Sequence, residues 1–148
     1  MGEENYTKRI ESKLEVQTYL AQLKYALNSG NTRIVFQKKR HADENRDERY
    51  TNRYTIHTLF PDEDEIHVLK RELLGLSYRD YIETVKDTTF PGKSEMRVFG
   101  KTYSDRDVYI KIRVELLSMK GAIGGNFILV MSFHFAEVAF KDSDFPYR

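Results

Sequence analysis

Residues 107–115, DVYIKIRVE, alternate without a break. Val108, Ile110, Ile112 and Val114 fall on one side, and Tyr109, Lys111 and Arg113 on the other. Successive side chains of a strand point to opposite faces, so the stretch predicts a strand with one apolar face and one polar face. A second strand, NFILVMSFHFA at 126–136, sets Leu129, Met131, Phe133 and Phe135 against Ile128, Val130, Ser132 and His134. Neighbouring strands must match their apolar lists, because a slip of one residue exposes a whole face. The simplest register pairs Val108 with Phe135 and Ile110 with Phe133. It places His134 across from Tyr109 and Ser132 across from Lys111. Shifts of two residues stay open, since the connecting segment SMKGAIGG is long.

The preceding strand, EMRVFGKT at 95–102, extends the pattern. A three-residue loop of Ser104, Asp105 and Arg106, a common hairpin length, sets Met96 and Val98 against Val114 and Ile112. Lys101 then faces Tyr109, Phe99 faces Lys111, and Arg97 faces Arg113. The polar face gathers Arg97, Phe99, Lys101, Tyr109, Lys111, Arg113, Ser132 and His134, which is cationic, partly aromatic and free of acids. Like charges directly opposite each other destabilise a sheet, so Arg97 against Arg113 calls for an anion between them. Phosphate fits, with Phe99 or Tyr109 to stack a base. The plain alternative is a solvated sheet face. His134 on this face has a tyrosine hydroxyl and lysines for company. With an ordinary pKa of about 6.5 it can carry a proton near neutral pH. Glu137 lies three residues on and points to the opposite face of a regular strand, so a His134–Glu137 pair requires a bulge or the strand's end.

The rest of the chain supplies helices. Ser12 to Glu15 is a capping box, followed by a stripe of Val16, Leu20, Leu23 and Leu27 on a helix of about four turns. Asn28, Ser29 and Gly30 stop it. TRIVFQ, 32–37, reads as a strand. RYTIHTLF, 53–60, alternates and reads as its partner. Between them, residues 33–53 carry Arg33, Lys38, Lys39, Arg40, Arg46, Arg49 and Arg53 against four acids, a run whose plain reading is solvated surface. Pro61 and the acids Asp62 to Glu65 open a second helix with Ile66, Leu69 and Leu73 buried and Gly75 at its end. Ser77 caps a short helix through about Val85. The order α-β-(β)-α-α-β-β-β predicts an α+β fold, a single antiparallel sheet with helices on one face, in one domain spanning 1–148.

Several functions are excluded or disfavoured. The chain has no cysteine, which removes disulfides, thiolate metal sites and thiol nucleophiles. No apolar run approaches the ~18 residues of a membrane span, and the polar start MGEENYTKRIESK lacks a signal-peptide core. A cytoplasmic location without membrane association is the expectation. The net charge of +1 decides nothing about nucleic acid. His41, His57 and His67 are isolated, no spacing resembles a metal site, and GAIGG precedes a strand instead of a helix, so it is a hairpin loop. No cofactor is implied.

LLGLSYRDY, VFGK, DVYIKIRV, SFHFAEVAF and FPY resemble, in that order, the MqsR-like toxins of bacterial type II toxin–antitoxin systems. The resemblance covers roughly residues 69–147, and ALNSGNTRIVF fits the family's opening more loosely. It implies a RelE/ParE-like α+β fold, metal-independent endonucleolytic cleavage of mRNA, and a cognate antitoxin as partner. The family's strand tyrosine falls on Tyr109, and its terminal lysine falls on His134. A family lysine falls near Glu83, and a family glutamine has no counterpart around Arg97 to Phe99. Attack of a 2′-hydroxyl on the adjacent phosphate needs a base, an acid and cations. On this view His134 and Tyr109 exchange protons, while Lys101, Lys111, Arg97 and Arg113 hold phosphate. The alternative is a non-enzymatic module that binds RNA or a protein through the same face.

Overall fold

The computed structural model describes residues 6–38, 44–89, 92–116 and 126–148. Its elements are β1 (Tyr6–Arg9), α1 (Lys13–Asn28), β2 (Thr32–Phe36), α2 (Asn52–Leu59), α3 (Glu65–Leu74), β3 (Tyr81–Asp87), β4 (Met96–Tyr103), β5 (Arg106–Glu115) and β6 (Asn126–Phe135). The strands form one sheet in the order β1-β3-β4-β5-β6-β2. Every pair is antiparallel except β2 with β6. The α+β class is therefore as expected. One apolar core joins Leu20, Leu23 and Leu27 of α1, Ile56 of α2 and Leu69 and Leu73 of α3 to Phe99, Ile110, Ile128 and Phe133 of the sheet. Among the described residues no helix is long and apolar enough to cross a membrane.

The register of β5 with β6 follows the matched apolar lists: Val108 pairs with Phe135, Tyr109 with His134, Ile110 with Phe133 and Lys111 with Ser132. Ile112 then pairs with Val130, leaving Met131 as a bulge residue. The extra residue flips the facing of everything before it, which brings Ile128 and Val130 to the core side beside Phe133 and Phe135. Both are fully buried.

β4 departs from the expected register by one residue. The turn is two residues long, Ser104 and Asp105, with φ of 50° and 67°. Two positive φ values define the type I′ turn that suits the twist of paired strands. Arg97 consequently pairs with Ile112, Phe99 with Ile110, Gly100 with Tyr109 and Lys101 with Val108. A one-residue slip moves every side chain to the other face. Arg97, Phe99 and Lys101 therefore sit on the helix-bearing side, away from Tyr109 and His134.

Two further segments fold differently from expectation. RYTIHTLF is helix α2 instead of a strand. Thr51 caps it by accepting from the Tyr54 N–H at 3.2 Å, and Asn52, Thr55 and Ile56 form its buried face. β2 pairs with β6 only from Asn126 to Val130. Beyond that point α2 replaces a strand as β6's neighbour. The Asn52 amide donates to the Gln37 and Met131 carbonyls at 2.7 and 2.9 Å and accepts from the Phe133 N–H at 3.0 Å. Thr55 accepts from the Phe135 N–H at 2.8 Å. Asn52→Ala takes the partner from the Gln37 and Met131 carbonyls and from the buried Phe133 N–H and is expected to destabilise the fold by about 2–4 kcal/mol, measurable by urea unfolding; a loss within the scatter of replicate curves would refute this edge-sealing role.

The second departure follows Ser77. The helix there is a single 3-10 turn, Tyr78–Asp80, and residues 81–87 are β3, central between β1 and β4. Tyr81, Ile82, Thr84 and Val85 are β-branched or aromatic and suit a pleated surface. α3 begins at Glu65, capped by Asp64, which accepts from the His67 N–H at 3.0 Å. Its buried residues are Val68, Leu69 and Leu73, while Ile66 is exposed. β1 has no counterpart in the sequence reading. His41 and the GAIGG loop lie outside the described residues.

Candidate active site

The sheet face opposite the helices carries a cleft of about 350 Å³ lined by Arg46, Tyr109, Lys111, Ser132, His134, Ala136, Glu137, Val138 and Phe140. Of the residues expected to form the site, Tyr109, Lys111, Ser132 and His134 come together here. β5 and β6 deliver them from paired positions, Tyr109 beside His134 and Lys111 beside Ser132.

His134 is 9% exposed. Its ring lies over that of Tyr109, with centroids 5.4 Å apart and planes inclined by 23°. Its Nδ1 is 3.0 Å from the Phe135 carbonyl oxygen. A carbonyl can only accept, so this bond assigns the proton of the neutral ring to Nδ1 and the lone pair to Nε2. In that neutral tautomer Nε2 is the proton-accepting atom of the ring. Lys111 Nζ also lies 5.8 Å from the centroid of the Tyr6 ring, a cation–π approach that brings β1 to the same face.

Five lining residues were not placed in the site by the sequence: Arg46, Ala136, Glu137, Val138 and Phe140. Arg46 comes from the basic run before α2, and its guanidinium donates to the Tyr50 carbonyl at 3.4 Å. Glu137 lines the cleft because β6 ends at Phe135, the condition under which the residue can share His134's surroundings. Phe140 is seated by Gly100. A Cβ there would lie 2.6 Å from Phe140 Cε2 and 3.0 Å from Phe145 Cζ, so only glycine lets the C-terminal segment lie this close to β4. That segment is further fixed by Asp107, whose carboxylate accepts from the Phe140 N–H at 2.8 Å and whose carbonyl accepts from the Ala136 N–H at 2.9 Å. Arg46 had a signal in its basic neighbours; Phe140 had none before the C-terminal segment was placed.

Arg97, Phe99, Lys101 and Arg113 are not in the cleft. Phe99 is fully buried and meets Tyr81 edge-on at 6.0 Å, which leaves no face for a base. Lys101 Nζ donates to the Gly75 carbonyl at 3.4 Å, where a cation suits the C-terminus of α3. Arg97 donates to the Glu11 carboxylate at 2.7 and 3.2 Å and lies 4.3 Å from the Tyr19 ring centroid. Arg113 shares the face with His134, yet its Nε is 3.8 Å from the Glu115 carboxylate and it does not line the cleft. With Glu115 and Glu137 present, the face is not free of acids.

Among the described residues no three His, Asp or Glu side chains gather into a set that could hold a metal ion. What the cleft brings together is an oriented imidazole, a phenol stacked on it, two cations and one carboxylate. Compared with family models, curated proteins and solved structures, the chain matches none of them.

Proposed function

We propose that this protein is a metal-independent endoribonuclease acting on mRNA, the toxin of a type II toxin–antitoxin pair with a RelE/ParE-like fold, as its resemblance to the MqsR-like toxins implies. The observation that carries the reading is the Tyr109–His134 stack beside Lys111 and Arg46, with the imidazole Nδ1 held by a backbone carbonyl. His134 Nε2 takes the proton of a ribose 2′-hydroxyl. The oxygen attacks the adjacent phosphorus, the bond from phosphorus to the 5′-oxygen breaks, and the leaving oxygen receives a proton from the Tyr109 hydroxyl. Lys111 and Arg46 neutralise the charge that grows on the phosphoryl oxygens. The products are a 2′,3′-cyclic phosphate and a 5′-hydroxyl end. On this reading the partners are mRNA and a cognate antitoxin protein, and the protein works in the cytoplasm.

A second reading, a non-enzymatic module that binds RNA or a protein on this face, draws on the near-complete burial of His134, 9% exposed. Incubation of the purified protein with mRNA in the presence of a chelator separates the two. Cleavage leaving cyclic phosphate ends is the expected result. Intact RNA, together with unimpaired growth of cells expressing the protein, would leave the binding module.

A further inference from the structure

The basic run before α2 has a second structural consequence. A depression of about 540 Å³ is lined by Glu48, Thr51, Arg53, Tyr54 and His57, within the range of about 300–1,000 Å³ typical of small-ligand sites. Its position relative to the His134 cleft is fixed by two links. Arg46, in the cleft wall, is two residues from Glu48, so their backbones are separated by at most about 7 Å. The Arg46 guanidinium is tied to the carbonyl of Tyr50, the last residue of the 3-10 turn Glu48–Tyr50. Both links run through residues 46–50; Tyr54 itself meets Phe135 edge-on at 6.2 Å, on the face of β6 opposite His134.

The side chains in this depression suit a nucleotide. Arg53 offers the planar fork that matches phosphate oxygens, and Tyr54 offers a ring. His57 stands one turn along α2 from Arg53, with its Nε2 3.7 Å from the Glu65 carboxylate. Thr51 is occupied by the helix cap. Glu48 is the acid of the lining; it repels phosphate and accepts from the donors of a base or ribose, so phosphate belongs on the Arg53 side.

We propose that this depression is a second subsite for single-stranded RNA, holding a nucleotide one or two positions along from the one whose phosphate lies between His134 and Arg46. The proposal rests on the reading of the His134 cleft as the place of the scissile phosphate. It makes the substrate a run of several unpaired nucleotides.

Binding tests it apart from cleavage. A His134→Ala background is titrated with a ten-nucleotide single-stranded RNA over a range of salt concentrations. Adding Arg53→Ala is expected to weaken binding about tenfold and to flatten the slope of log K against log salt by about 0.7, the value for one lost phosphate contact on a single strand. Arg53→Lys should restore the slope, and Lys24→Ala, which removes an exposed cation of α1, should leave it unchanged. Equal affinity and slope with and without Arg53→Ala would overturn the subsite. So would an equal flattening by Lys24→Ala, which would mean diffuse charge. If the chain cleaves no RNA but Arg53→Ala still flattens the slope, the subsite stands and the enzymatic reading falls.

Discussion

His134→Ala is expected to slow RNA cleavage by roughly 10²–10⁴-fold, the usual worth of a positioned proton carrier. The size follows from how completely the ring is oriented. The Phe135 carbonyl fixes Nδ1 as the donor, and the Tyr109 ring fixes the plane. Alanine removes both the base and the stack, so the variant also loses about 1 kcal/mol of ring–ring contact. A thermal melt separates that loss from the chemistry, since a small drop in stability leaves the fold populated at assay temperature. Tyr109→Phe makes the distinction sharper. It keeps the stack and removes only the hydroxyl, so a fall in rate with an unchanged melting temperature assigns the phenol a proton. Cleavage that persists undiminished in both variants would remove the site from consideration.

The parts of this site that were legible in the sequence are those governed by strict alternation. In β5 the apolar list makes the register with Phe133 and Phe135 the simplest, with shifts of two residues open, and Tyr109–His134 and Lys111–Ser132 follow from it. The capping box at Ser12 and Glu15 was legible because two side chains three residues apart report on each other. β4 was misread through one residue of loop. A two-residue turn with Ser104 and Asp105 at positive φ lacks the glycine that marks most such turns, and the error moved Arg97, Phe99 and Lys101 to the wrong face. α2 was misread because Asn52 and Thr55 are polar. Their burial makes sense only once the open edge of β6 is in place, and that edge is a property of the sheet. Arg46, Glu137 and Phe140 enter from loops and from the strand's end, where no periodicity announces which way a side chain turns.

Arg97 shows what the misplaced register concealed. The sequence required an anion for it, and the fold supplies one from the chain itself. Glu11 is 3% exposed. Its carboxylate accepts from Arg97 Nε at 2.7 Å and from the Thr84 hydroxyl, its N–H donates to the Tyr81 hydroxyl at 3.0 Å, and its carbonyl accepts from Tyr147. Burial pushes the phenols of Tyr19 and Tyr81 above their ordinary pKa, so both stay neutral and Glu11 is the nearer counter-charge to Arg97, with the Glu95 carboxylate 3.9 Å away. Glu11→Ala leaves the Arg97 guanidinium against the Tyr19 ring with the Glu95 carboxylate, 3.9 Å away, as its remaining counter-charge, and is expected to cost about 3 kcal/mol, a large share of the 5–15 kcal/mol that roughly holds a domain together. The double variant Glu11→Leu/Arg97→Met removes both charges and is expected to be the more stable of the two, because the penalty of the single change is a buried charge left with a more distant partner and not the lost pair. Urea unfolding of the two variants beside the parent gives the comparison directly. A double variant less stable than Glu11→Ala would mean that the pair itself stabilises the junction of α1 with β3 and β4.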